Sequence, residues 1–201
     1  MEDRRVRRTR SALRDAFLAL MTEKGYEAVT VQDLIDRADI GRSTFYAHYT
    51  DKSDLLRDML SEMRSLVEHD PGPDGADRRR PLRFGGLMFR HVEDQRDLLR
   101  ALLGRPGTGV FATEIQELLT DLARRELEAL CRISDPPRLP LDLIAPTVVA
   151  AYLATLTWWV AEDFAHTPEQ MDAFFHTLVA PGIRAAIPPR PTSPRDHATP
   201  P

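Results

Sequence analysis

The stretch TVQDLIDRADIGRSTFYAHYTDKSD, residues 30–54, decides the fold. Thr30 suits the N-cap of a helix that carries Val31, Leu34, Ile35 and Ala38 on one face, a spacing of three and four residues that buries one side. Asp39, Ile40 and Gly41 break that helix. A second helix, from Arg42 to about residue 49, buries Phe45 and Tyr49 and turns Arg42, Ser43, Thr44, Tyr46 and His48 outward. That outward set is rich in hydrogen-bonding groups, and Lys52 follows at the start of a third helix. Two short helices, a tight turn and a polar outer face are the layout of a helix-turn-helix, whose second helix fits a DNA major groove.

On the N-terminal side, Leu13, Ala16, Phe17, Leu20 and Met21 recur at helical spacing over residues 9–24, and Gly25 supplies the stop. Tyr26 and Val29 extend the small core that the three helices enclose. The first fifteen residues hold Arg4, Arg5, Arg7, Arg8, Arg10 and Arg14 against Glu2, Asp3 and Asp15, a basic arm suited to a phosphate backbone or a minor groove. The net charge of −4 does not contradict this, because local distribution governs such contacts.

On the C-terminal side, a helix from Lys52 runs through Leu55, Leu56, Met59, Leu60, Met63, Leu66 and Val67, long enough to leave the small domain. Residues 69–81, with three prolines, two glycines and Arg78 to Arg80, read as a linker. Helices are then expected over 82–92, 95–103, 110–133, 141–164 and 168–187, with a turn over 104–109. Pro146 interrupts the pattern, so that helix is expected to begin at or after Leu143 or to kink. No segment alternates with period two, and the expected fold is all-α with about nine helices. The domains read as 1–51, a helix-turn-helix head; 52–187, a helical ligand-binding and dimerisation body; and 188–201, a disordered tail with six prolines.

Hydrophobic residues make up 42% of the 201, enough for a buried core. No continuous run of about 18 apolar residues is present and the N-terminus lacks a signal-peptide pattern, so no membrane partner and a cytoplasmic location are expected. Cys131 reads as a small buried helix residue without metal-ligand neighbours. Neither a nucleophile elbow, a phosphate loop, an HExxH pattern nor a paired metal-ligand motif occurs, so an enzyme is not expected, nor any cofactor or metal. The predominance of arginine, with Lys24 and Lys52 the only lysines, is the usage of a GC-rich bacterial genome.

Gly25-Tyr26, Thr30-Val31, Ala38, Ile40, Thr44-Phe45-Tyr46, His48-Tyr49 and Lys52 together resemble the N-terminal domain of the TetR/AcrR family of bacterial transcriptional regulators, over roughly residues 8–60. Two departures stand out: Asp39 replaces the usual turn glycine and Gly41 replaces a common capping serine. Asp tolerates a left-handed backbone and Gly is an acceptable N-cap, so both are compatible with the motif. The resemblance implies a homodimer on double-stranded DNA, most often a repressor on a palindromic operator, released by an unknown small hydrophobic effector. Expected DNA contacts are Arg42 on a guanine edge, Ser43, Thr44 and His48 on phosphate or base, Tyr46 on the backbone, and Lys52 and Thr30 on phosphate at helix starts. Arg4, Arg5, Arg7 and Arg8 of the arm join them.

Recognition by one helix covers few base pairs, so two copies must act together. Ala150, Ala151, Ala154 and Trp158 against Phe174, Phe175, Leu178 and Gly182 make the candidate four-helix interface. Phe84, Met88, Phe89, Phe111, Tyr152, Trp158 and Trp159 are candidate pocket residues, with His91, Glu162 and Asp163 as polar anchors. Sequence does not decide whether Trp158 and Trp159 face the pocket, the interface or the core, and periodic apolar residues are more often core than pocket lining. The competing functions are a helical small-molecule-binding protein and a ligand-independent activator or architectural DNA binder.

Overall fold

Among the residues described by this computed structural model, 4–69, 82–103 and 109–189, the chain forms nine helices and no named strand. In order they are α1 (Arg4–Lys24), α2 (Val31–Ala38), α3 (Arg42–Tyr46), α4 (Lys52–His69), α5 (Phe84–Asp94), α6 (Arg96–Leu103), α7 (Gly109–Cys131), α8 (Leu141–Ala161) and α9 (Pro168–Ala186). The expected linker over 70–81, most of the turn over 104–109, and the tail from residue 190 onward lie outside the described residues.

The head closes around aromatic and aliphatic side chains spaced for helices. Leu13 and Phe17 of α1, Leu34 of α2, and Phe45 between α2 and α4 are fully buried, and Leu55 and Leu56 bring the first turns of α4 into the same core. Gly25 ends α1 at φ +79°, a left-handed conformation that costs a residue with a Cβ, and its N–H donates to the Met21 carbonyl at 2.9 Å. Thr30 caps α2 through a complete capping box, its hydroxyl accepting from Asp33 N–H while the Asp33 carboxylate accepts from Thr30 N–H. The Asp33 carboxyl is held well below its ordinary range by Lys24, 2.6 Å away, and by Thr30.

In the body, α7 packs on α8, α5 and α8 pack on α9, and α4 reaches α7. Its centre is an aromatic cluster: the Phe89 ring lies 4.8 Å from Tyr152 and 5.8 Å from Trp159, and Tyr152 lies 5.4 Å from Phe175. Across the α4–α7 contact, Arg64 pairs with Asp121, which Arg125 also reaches at 3.0 Å, and Arg125 binds Glu68 at 2.5 Å. Glu126 of α7 accepts from the N–H groups of Arg83 and Phe84 at 2.6 and 2.9 Å, capping a helix that its own N-cap residue, Arg83, does not cap through its side chain.

Several boundaries depart from the sequence reading. α1 begins at Arg4, so the arginines expected on an arm stand on a helix continuous with the head. α3 ends at Tyr46, and residues 47–48 form a turn that still returns Tyr49 to the core. α4 extends through His69. α8 begins at Leu141 with Pro140 as its N-cap residue and carries Pro146 inside, because the lost bond falls on the carbonyl of Asp142 at the exposed start of the helix. α9 carries Pro181 in the same way on its exposed side. Pro188 and Pro189 are tied to the α7–α8 loop by an Asp135 N–H bond at 3.1 Å and a bridge to Ser134.

Among the described residues α8 is the helix that bears on the expectation of no membrane span. By length and composition α8 is apolar enough to span one, with a mean hydropathy of 1.6. Ile144, Val148, Val149, Tyr152 and Trp159 on its inner face are buried between α7 and α9, the arrangement of a core helix. Cys131 is half-buried at the end of α7, and burial raises its thiol pKa, which disfavours thiolate chemistry.

Candidate nucleic-acid interface and interior cavity

The turn between α2 and α3 is set by Asp39, at φ 49° and ψ 52°, so the residue in the usual glycine position does adopt the left-handed conformation. Gly41 then serves as N-cap of α3 without a side-chain bond, its carbonyl accepting from Thr44 and Phe45 at 2.9 and 3.1 Å. Phe45 anchors the helix: its ring is fully buried and contacts Tyr46 edge-on at 5.4 Å and Tyr49 at 6.1 Å. Tyr49 donates to the Asp58 carboxylate of α4 at 2.7 Å, fixing α3 against the next helix.

With those two aromatics inward, Arg42, Ser43 and Tyr46 are exposed and Thr44 and His48 are half-buried beside them. Arg42 has no ion-pair partner among the described residues, which leaves its guanidinium fork open. Arg4, Arg5, Arg7 and Arg8 are exposed along the first turns of α1. Arg10 is half-buried, and Arg14 is engaged by Glu62 of α4 at 2.5 Å. Thr30 is exposed, with its hydroxyl hydrogen directed to Asp33 at 2.5 Å.

Lys52 departs most from its expected role. Its ammonium donates to the carbonyls of Tyr26, Glu27 and Val29 at 2.9, 3.0 and 2.9 Å and sits 4.6 Å above the Tyr26 ring. An ammonium has three N–H groups, so a phosphate would find none of them unoccupied. The residue stitches α4 to the turn before α2.

A cavity of about 500 Å³ lies between head and body. Its walls come from α1 (Arg14, Leu18, Met21), α4 (Leu56, Met59, Leu60, Glu62, Met63) and the body helices α5 to α8. Of the residues expected to line a pocket, Met88, Phe111 and Tyr152 do so. Phe84, Phe89 and Trp159 do not: their rings fill the aromatic core of the body. Trp158 lies on the outside of α8, 44% exposed and stacked on His166 at 5.4 Å. Of the expected anchors, His91 lines the cavity, whereas Glu162 and Asp163 are exposed at the end of α8, where Asp163 pairs with Arg100. The remaining polar lining, Arg14, Glu62, Gln95, Gln116 and Thr157, was missed, because periodicity marks which side of a helix is inward but not where two helical layers fail to close.

The expected interface residues also divide. Phe175 is fully buried in the body core, and Ala151 is half-buried against it. Ala150, Ala154, Trp158, Phe174, Leu178 and Gly182 are exposed, and Leu143 extends the same line on α8. Exposure of 53% for Leu143, 42% for Phe174 and 72% for Leu178 leaves large apolar side chains open on adjacent helices.

A three-helix head with a helix-turn-helix, joined by a long helix to an all-α body, defines the class of one-chain helical DNA-binding regulators. The chain belongs to the tetR family of bacterial regulatory proteins: that family's N-terminal model matches residues 13–59, and a model described as a transcriptional regulator C-terminal region matches residues 86–180. The uncharacterized HTH-type transcriptional regulator YxbF of Bacillus subtilis (strain 168) is 42% identical over 69 residues, 33% of this chain and 18% of YxbF. The chain spans about half the length of the curated relatives it matches, or less.

A TetR transcriptional regulator from Streptococcus agalactiae 2603V has a solved structure with a TM-score of 0.63 and 25% identity, covering 88% of this chain and 96% of that one. A TetR-family regulator from Syntrophomonas wolfei shares the fold with a TM-score of 0.67 at 21% identity, covering 88% and 95%. These families and relatives are transcriptional regulators, not enzymes.

Proposed function

We propose that the protein is a cytoplasmic, homodimeric repressor that holds a palindromic operator and releases it when a small apolar effector enters the cavity. Residues 1–51 act as the reading head, 52–187 as the effector-binding and dimerisation body. Arg42 reads a guanine edge, Ser43, Thr44, Tyr46 and His48 fix the helix on backbone and neighbouring bases, and the exposed arginines of α1 engage phosphate, whereas Thr30, whose N–H and hydroxyl both donate to Asp33, serves as the cap of α2. Two copies join through Ala150, Ala154, Trp158, Phe174, Leu178 and Gly182 in a four-helix contact, which sets the separation of the two heads.

The observation that carries this reading is the composition of the cavity wall. Because α1 and α4 supply part of it, an occupant touches both the helix that bears the basic row and the helix that ties head to body. An effector shifts the equilibrium only through its differential affinity for the two arrangements, and contact with moving walls supplies that difference.

The test is selection of fragmented genomic DNA by the purified protein, followed by sequencing of the bound fraction. An inverted repeat is expected, with affinity falling steeply as salt rises. Arg42→Ala and Tyr46→Ala should weaken binding to that repeat, Arg42→Ala by about 1–3 kcal/mol with relaxed preference at one base pair, while helical circular dichroism stays unchanged. Recovery of no sequence above background, or unaltered binding by both variants, would overturn the reading. Transcript levels of the adjoining gene in a deletion strain distinguish a repressor from an activator.

A further inference from the structure

The cavity's charge is balanced internally. Arg14 and Glu62 face it as a bidentate pair, Nη1 to Oε2 and Nη2 to Oε1 each at 2.5 Å, so neither is left to meet a counter-charge. His91 is half-buried and its pKa lies below the ordinary imidazole value because burial disfavours the charged ring, so it faces the cavity neutral at pH 7. Gln95, the residue that caps the C-terminal end of α5, and Gln116 of α7 add uncharged donors and acceptors. The Tyr152 hydroxyl is buried with no hydrogen-bond partner among the described residues. Four of the six methionines, Met21, Met59, Met63 and Met88, join a larger set of leucines in the remaining apolar lining.

We propose that the cavity admits uncharged, predominantly apolar molecules bearing a hydrogen-bonding group and rejects anions and cations of the same shape. The proposal rests on the reading of this cavity as the effector site. A charged guest sheds its hydration on entering, and to pair with Arg14 or Glu62 it must first break their bidentate contact. A neutral guest sheds little, and its polar end can exchange water for His91, Gln95 or Gln116. The methionines are flexible and polarizable, so they adapt to guests of different outline. Polarity is therefore the filter, and shape a loose one.

A matched probe series tests this on the full chain: N-phenyl-1-naphthylamine, which is uncharged, its sulfonated analogue 1-anilinonaphthalene-8-sulfonate, and the corresponding trimethylammonium derivative. Fluorescence titration is expected to give the uncharged probe an affinity at least about tenfold above either ion. The cavity-filling variants Ile115→Trp and Leu153→Trp, checked for helical circular dichroism, should each lose that binding. Glu62→Gln releases the Arg14 charge into the cavity and should raise sulfonate affinity by about tenfold. Sulfonate or ammonium binding as tight as the neutral probe, and abolished by filling, would overturn the charge filter while leaving the effector-site reading intact. Binding of no probe, or binding indifferent to filling in folded variants, would overturn both.

Discussion

The ammonium of Lys52 shows how a residue of familiar type can serve the fold in place of the ligand. Three carbonyls from the turn before α2 converge on it, and the ring of Tyr26 lies beneath, so its removal takes a donor from each of them, the Tyr26 carbonyl alone keeping a bond from Val29 N–H among those seen. Lys52→Ala is expected to destabilise the protein by about 2 kcal/mol, seen as a lower thermal midpoint, with DNA affinity reduced only as far as the head loosens. A Lys52 that acted mainly on phosphate would instead change the salt dependence of binding and leave the midpoint where it was. His91 carries the clearest pH signature. Burial lowers its pKa from the ordinary 6.5, Asp94 opposing the effect weakly, so the unfolded chain takes up this proton first as pH falls. Stability contributed by neutral His91 is complete above 6.5 and is lost as pH drops from there through the folded value. Affinity for an uncharged guest should follow the same direction, flat at alkaline pH and declining as pH falls below the ordinary imidazole range and charge enters the wall. Titration of N-phenyl-1-naphthylamine between pH 8 and pH 5 checks this, and His91→Gln should remove the dependence.

At the scale of the element, α8 and α9 each present two different faces. Tyr152, Trp159 and Phe175 point into the core while Trp158, Phe174 and Leu178 point out, and neighbours in sequence separate by one helical step. Leu178→Glu places a charge where 72% of the side chain is already exposed, so the monomer fold should tolerate it. Light scattering coupled to gel filtration should then report a monomer with an unchanged circular dichroism spectrum, and binding to the inverted repeat should fall to that of one half-site. A variant that remains dimeric would move the interface elsewhere. This two-faced pattern also explains what was legible in the sequence. The helices of the head follow from Leu13, Phe17, Leu34 and Phe45, whose spacing has one solution, and Asp39 could be assigned its left-handed turn because few residues tolerate it. In α8 apolar residues lie on all sides, so spacing could not separate Trp158 from Trp159 or say which aromatic faced a cavity. Glu126 was unreadable for a related reason. Its task as the cap of α5 depends on a partner about forty residues earlier in the chain, and no local pattern encodes that meeting.

For the whole molecule, the decisive relation is between α4 and what flanks it. Its first turns complete the core of the head through Leu55 and Leu56, and its far end is tied to α7 through Arg64, Glu68, Asp121 and Arg125. Asp121→Asn removes the carboxylate that both arginines share. It is expected to leave operator affinity in place without effector while reducing the effector's influence on that affinity by roughly 1 kcal/mol, measured by fluorescence anisotropy with and without ligand. An unchanged response would place the coupling in another contact, and α1 is the structural candidate because it also packs on α6. Leu18 and Met21 belong to the helix that carries the basic row and yet form part of the cavity wall. In genetic terms, a screen for alleles that repress normally but no longer respond to inducer should not be confined to the C-terminal half of the gene: some of its hits are expected in the codons for residues 14–21, where a sequence-based survey would file them as defects in DNA binding.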